Sequence, residues 1–147
     1  MAVKGNQIRI ISWEEYGRLV RDLSSKIKIS MNPEELKSIP YVIGLPRGGF
    51  PVMTFLSHSL EIPTMSSLVA LKEIFPRIEN SPSLLVVDDV VDSGETLINF
   101  LYVLSEILGE GKYITACLYY KPWSEKRPDF YADLTEDIIV FPYEKKL

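Results

Sequence analysis

The sequence predicts an α/β fold, a mostly parallel sheet flanked by helices, formed by a single domain over 1–147. Two observations carry this reading. The short, wholly apolar runs YVIGL (41–45) and LLVV (84–87) have the character of strands covered on both faces. Between such runs lie segments whose apolar residues recur at helical spacing, and strands alternating with helices imply parallel pairing.

Gln7 to Ile11 alternates weakly and reads as a short strand. Ser12 opens SWEE, with Glu15 three residues on, a capping pattern. Trp13, Tyr16, Leu19, Val20, Leu23 and Ile27 then mark a helix over 13–29. Asn32-Pro33 starts a short helical turn, since proline is tolerated in a first turn. The strand 41–45 runs into PRGG, and Pro51 starts a helix to Leu60. Another strand is expected within Ile62–Leu71. Lys72 to Ser83, with two prolines and mixed charge, reads as a mobile loop. The strand 84–87 ends in Asp88-Asp89. Thr96 to Leu108 places Leu97, Phe100, Leu101, Leu104 and Leu108 on one helix face, and Gly109 and Gly111 stop it. Tyr113 to Tyr120 is a further strand. The tail, rich in proline and aromatic residues, ends in the strand IIVF (138–141).

The formal charge of −4 argues against a broad surface for nucleic acid. The amino terminus has no signal-peptide core, and no apolar run approaches membrane-spanning length, so the expected address is the cytoplasm, with no membrane partner. Cys117, the one cysteine, lies in an apolar run and reads as a buried thiol. His58, the one histidine, reads as structural or exposed.

The chemistry concentrates in VVDDVVDSGET, Val86 to Thr96. An apolar strand stops in two carboxylates. Adjacent carboxylates are tolerable where a cation or several hydroxyl donors lie between them. A ribose diol can donate to a carboxylate, and Mg²⁺ prefers oxygen ligands. Asp92, Ser93, Gly94 and Thr96 then form a small-residue turn leading into a helix, where backbone N–H groups and the helix dipole suit a phosphate dianion. The stretch thus offers a diol binder, a metal site and a phosphate cradle in the order of a ribose phosphate. An isolated Asp-Ser-Gly would read as a capped acidic turn; the full string after a buried strand favours the ligand reading. Neither GxxxxGK[ST] nor GxGxxG occurs.

VVDDVVDSGETL resembles the PRPP-binding motif of the type I phosphoribosyltransferases. GLPRGG (44–49) resembles that family's pyrophosphate loop. The opening ISWEEYGRLVRDLSSKI and the tail ACLYYKPWSEKRPDFYADLTEDIIVFPYE look like the small microbial purine enzymes of the xanthine-guanine and hypoxanthine-guanine branch. The resemblance implies the type I phosphoribosyltransferase fold with a small C-terminal hood, mainly about 121–147. It implies transfer of ribose 5-phosphate from PRPP to a 6-oxopurine (guanine, hypoxanthine or xanthine), giving a nucleoside monophosphate and pyrophosphate in nucleotide salvage.

By the same resemblance Asp88 and Asp89 hold the ribose hydroxyls, directly or through Mg²⁺, and are the metal ligands. Asp92 is the catalytic carboxylate beside the base. Asp92, Ser93, Gly94, Glu95 and Thr96 wrap the 5′-phosphate, with the Glu95 side chain pointing away. Arg47, Gly48 and Gly49 meet pyrophosphate, the glycines allowing close approach or an unusual dihedral. Lys121 donates to the exocyclic oxygen of the base, and Ile138 and Ile139 contact its other side, with Glu144 near the metal or base. Lys72 and Arg77 are candidates to touch pyrophosphate from a closing loop. Ile138 stands where relatives carry an aromatic residue, which leaves Phe141 or Tyr143 as an alternative cover and adenine or a pyrimidine open as substrates. A PRPP- or nucleotide-binding regulator without turnover is the other reading; the carboxylate at Asp92 favours an enzyme. A homodimer or homotetramer is expected by analogy.

Overall fold

The computed structural model describes residues 7–74, 83–109 and 113–145. In chain order it contains β1 (Ile8–Ile10), α1 (Trp13–Ser30), α2 (Pro33–Ser38), β2 (Val42–Gly44), α3 (Gly49–Leu60) and α4 (Leu68–Ile74). There follow β3 (Leu84–Val91), α5 (Glu95–Leu108), β4 (Tyr113–Tyr120), β5 (Phe130–Leu134), β6 (Ile138–Val140) and a 3₁₀ turn over Pro142–Glu144. The main sheet has the order β2-β3-β4-β5 and is parallel throughout. A separate parallel ribbon pairs β1 with β6, Ile8 opposite Ile138 and Ile10 opposite Val140.

Local chemistry sets the helices. Ser12 Oγ accepts the Glu15 N–H at 3.1 Å and caps α1. The full reciprocal capping box forms at Asn32 and Glu35, at 2.8 and 3.1 Å, and starts α2 ahead of its proline. Gly109, at φ +88°, ends α5 in a backbone region that side chains disfavour.

Both faces of the sheet are covered over β2 and the first half of β3, which explains why those runs are continuously apolar. Tyr16, Leu19, Val20, Leu23 and Ile27 of α1, with Val52 and Leu56 of α3, pack on Leu85, Val87, Ala116 and Leu118. On the other face Leu97, Leu101, Leu104 and Leu108 of α5 pack on Leu84, Val86 and Cys117. Each such side chain, fully buried, contributes roughly 1.5–3 kcal/mol. Cys117 is buried, and His58 is exposed on α3.

The structure corrects several expected boundaries. Ile62–Leu71 does not form a strand of the sheet. Thr64 makes one isolated bridge to Val42, and α4 begins at Leu68. Ser67 drives the change: its carbonyl accepts the Leu71 N–H at 3.0 Å, its hydroxyl accepts from Ala70 N–H, and Leu71 is buried on the helix. Lys72 is an exposed residue of α4 rather than of a loop, whereas Arg77 and most of the expected loop lie outside the described residues. The C-terminal tail divides. β5 joins the main sheet, and only β6, with β1 from the amino terminus, forms the small ribbon. Lys26 of α1 secures β5 by donating to the carbonyls of Tyr131 and Ala132 at 2.8 and 2.9 Å. Among the described residues no helix is long and apolar enough to cross a membrane.

Candidate active site

β3 does not stop at its aspartates but runs through them to Val91. Leu84 and Val86 pack toward α5, and Leu85 and Val87 toward α1 and α3, as strand alternation requires. Beyond the aspartates the sides are exchanged, with Val90 packing toward α1 and Val91 toward α5. The interruption falls on Asp88-Asp89, so successive carboxylates reach one cleft. Side chains have taken over backbone donors there: Asp88 Oδ1 accepts from Asp89 N–H at 2.8 Å, and Asp89 Oδ1 from Val90 N–H at 2.7 Å. Burial, and next the charge of Asp89, push the Asp88 carboxyl well above the usual carboxylate range. The same burial, with Asp88 adding, raises the Cys117 thiol.

The cleft has a volume of about 870 Å³, in the range of small-molecule sites. It brings together Arg47 and Gly48 from the end of β2, Asp88 and Asp89 from β3, and Asp92, Ser93, Gly94 and Thr96 from the turn into α5. The carboxyl ends of two strands, β2 and β3, thus converge, and Tyr143 and Glu144 of the 3₁₀ turn line the same cleft. Gly49, Glu95, Lys121, Ile138 and Ile139 are not among its lining residues. Glu95 is exposed in the first turn of α5. Lys121 is buried; its Nζ donates to the Asp137 carbonyl and lies 5.3 Å from the Trp123 ring centroid. Ile138 is 48 % exposed on the β1–β6 ribbon, and Ile139 packs into the α1 side of the core.

The PRGG loop needs glycine for an intramolecular reason. Gly48 itself has an ordinary right-handed backbone (φ −63°, ψ −24°), although the Pro46-Arg47 peptide before it is cis, so the glycine is not there for its own φ. A Cβ there would lie 1.9 Å from Asp89 Oδ2, which means that the loop is pressed against the carboxylate. Gly94 combines both demands. Its φ is +89°, and a Cβ would fall 2.7 Å from Ser124 Oγ and 2.9 Å from Lys126 N. Segment 124–126 thus lies on the turn into α5, held by a 2.9 Å bond from Glu125 N–H to Ser93 O.

Two residues were not assigned to these carboxylates by sequence reasoning. Tyr143 Oη donates to Asp89 Oδ2 at 2.5 Å, and Trp123 Nε1 donates to Asp92 Oδ1 at 2.8 Å. Both contacts join positions far apart in sequence, and no local pattern marks them. Tyr143 stacks on Phe141, with centroids 5.5 Å apart and planes 6° apart. Tyr16 meets both rings edge-on; its hydroxyl is buried with no hydrogen-bond partner among the described residues. Burial raises that phenol, and the nearby Asp89 charge adds to the effect.

Asp88, Asp89, Asp92 and Glu144 set four carboxylates in a cleft with one guanidinium, Arg47. Among the described residues no lysine or arginine forms an ion pair with Asp88 or Asp89, and no group of three or more His, Cys, Asp or Glu is arranged to enclose a metal. Such a site fits a hard cation completed by oxygens of the ligand, the usual manner of Mg²⁺, and does not fit a closed structural metal.

An acidic strand tip, a glycine turn into a helix and a glycine loop pressed against that tip meet in one cleft. The chain matches the phosphoribosyl transferase domain over residues 76–145. It is 31% identical to a xanthine-guanine phosphoribosyltransferase of Idiomarina loihiensis, over 100% of this chain and 93% of that one. Similar solved structures include a purine phosphoribosyltransferase from Pyrococcus horikoshii, with TM-score 0.72 and 27% identity, covering 95% of this chain and 96% of that one. Another is the xanthine-guanine-hypoxanthine phosphoribosyltransferase of Helicobacter pylori, with TM-score 0.72 and 24% identity, covering 94% of each chain. The chain belongs to the phosphoribosyltransferase family and has its fold.

Proposed function

We propose that this protein transfers the 5-phosphoribosyl group of PRPP to a 6-oxopurine base, guanine, hypoxanthine or xanthine, with release of pyrophosphate. The observation that carries the proposal is the meeting of Arg47-Gly48, Asp88-Asp89 and Asp92, Ser93, Gly94 and Thr96 in one cleft. These groups match the pyrophosphate, the ribose diol and the 5′-phosphate in the order in which PRPP presents them. The xanthine-guanine and purine enzymes among its relatives support the choice of base.

In this reading the first turn of α5, with the Ser93 and Thr96 hydroxyls, receives the 5′-phosphate on backbone N–H groups. Glu95 contributes its backbone alone. Asp88 and Asp89 accept from the ribose hydroxyls and would hold Mg²⁺, which when bound supplies positive charge to the leaving pyrophosphate. Arg47 and the backbone of Gly48 meet the same group, whereas Gly49 is buried and gives its N–H to the Leu45 carbonyl. A ring nitrogen of the base forms the new bond to the anomeric carbon as the bond to pyrophosphate breaks, and the proton lost from the base passes to Asp92. The Asp92 carboxylate also favours the positive character of the sugar in the transition state. Lys121 favours an exocyclic oxygen over an amino group, and Ile138 and Ile139 bound the base on the hood side. Glu144 lines the same cleft as Asp88 and Asp89.

The same reading makes residues 1–147 one domain acting as a homodimer or homotetramer in the cytoplasm. Side-by-side assay of pyrophosphate release from PRPP and Mg²⁺ with guanine, hypoxanthine, xanthine, adenine and uracil tests the activity. Turnover with one or more oxopurines, and little with adenine or uracil, is expected. Turnover with none of the five would overturn the proposal.

A further inference from the structure

β3 and β4 are parallel neighbours, with Val91 opposite Tyr120 at their ends. Asp92 and Lys121 are the next residues of the two segments, and Lys121 N–H donates to Val91 O at 3.0 Å. The two side chains therefore leave the sheet from adjacent positions. Trp123 spans them. Its Nε1–H donates to Asp92 Oδ1 at 2.8 Å, and the Lys121 ammonium lies 5.3 Å from the centre of its ring. Lys121 is 3 % exposed, and its Nζ also donates to the Asp137 carbonyl, so the cation is held between a ring and a backbone oxygen. The loop carrying Trp123 is itself fixed. Ser124 N–H donates to Lys121 O at 3.1 Å and Glu125 N–H to Ser93 O at 2.9 Å, while Gly94 leaves room for Ser124 and Lys126.

We propose that Trp123 is a positioning residue of the base site. Its N–H orients the Asp92 carboxylate and its ring holds the Lys121 ammonium, so that proton acceptor and oxygen-recognising cation keep a set separation. This rests on the assignment of Asp92 and Lys121 given above. An indole suits the task because it donates one hydrogen bond, accepts none and carries no charge, so it orients a carboxylate without neutralising it. Its face attracts a cation more strongly than the other aromatic rings do. The bond engages Oδ1 and leaves Oδ2 for the proton of the base.

The test is the full chain with Trp123→Phe, which keeps a ring for Lys121 and loses the donor, and Trp123→Leu, which loses both. Pyrophosphate release is measured with PRPP and the preferred base varied separately, and PRPP binding by calorimetry. Trp123→Phe lowers kcat about tenfold, the usual worth of a hydrogen bond to a charged group, with both KM values within about twofold of the parent. Trp123→Leu shows the same fall and raises KM for the base about fivefold as Lys121 loses its platform. PRPP affinity is unchanged in both. Parental kcat in Trp123→Phe overturns the proposal, as does a fall in kcat with equal rises in both KM values, which marks general loosening. Asp92→Asn separates the two levels. If Asp92→Asn turns over at the parental rate, the assignment of Asp92 fails and takes this inference with it; if only Trp123→Phe is parental, the inference alone fails.

Discussion

The Tyr143 phenol donates a 2.5 Å hydrogen bond to Asp89 Oδ2 and so ties the chain's 3₁₀ turn to the tip of β3. The ring is held by its stack on Phe141 and the edge of Tyr16. Burial, then the bond to Asp89, push the phenol far above its ordinary value, so it remains a donor at every pH where the enzyme would be assayed. Tyr143→Phe keeps the stack and removes the bond. It is expected to raise KM for PRPP about tenfold, with a smaller effect on KM for the base, in steady-state assays with each substrate varied. Adding Asp89→Asn to Tyr143→Phe should cost much less than the sum of the single changes, because both act on one contact.

Gly48→Ala tests the packing of the PRGG loop. Its backbone is allowed to alanine, so any effect comes from the Cβ placed 1.9 Å from Asp89 Oδ2. The loop or the carboxylate must move by more than an ångström. The expected result is a folded protein by circular dichroism with kcat/KM lower by roughly a hundredfold, the scale of such a displacement. Activity within a few-fold of the parent would mean that the loop is not held against Asp89.

Asp88 gives the apo protein a pH dependence of stability. Its folded carboxyl lies above its unfolded value of about 3.9, so the folded state holds the proton more tightly. This contribution is full below the unfolded value. It is lost as pH rises toward the raised folded value and is flat above it. Asp88→Asn removes the loss. It should stabilise the apo protein near pH 9 by about 1 kcal/mol, or roughly 2–4 °C in Tm, with little gain near pH 4. Melting curves across that range check it, and an Asn variant less stable at high pH would contradict the burial argument.

Lys121 sets the expected preference for an exocyclic oxygen. Lys121→Ala should reduce the ratio of kcat/KM for guanine or hypoxanthine over adenine by about tenfold or more, the worth of a charge-assisted hydrogen bond. An unchanged ratio would remove Lys121 from base recognition.

Much of this architecture was legible because it is written locally. The run LLVV could only be a strand covered on both sides, and Ser12 with its helical apolar stripe could only start α1. Asp88 to Thr96 could be read as one candidate site because strand tip, turn and helix start are contiguous in sequence. Ile62–Leu71 was misread because an apolar segment fits either period, and Ser67 decided it by capping α4. β5 was not anticipated: FYADL is short, lies at the sheet edge and owes its place to β4 and to Lys26. The partners of the carboxylates, Tyr143 and Trp123, belong to tertiary packing. Residues 54 and 31 positions away reach these carboxylates with no periodicity to announce them.

A crystal structure of the protein with a purine nucleoside monophosphate addresses the central assignment most directly. The phosphate should rest on the backbone N–H groups of Ser93 to Thr96, the ribose hydroxyls on Asp88 and Asp89, and the base beside Asp92. A nucleotide bound elsewhere, with the turn from Asp88 to Thr96 free of ligand, would contradict it.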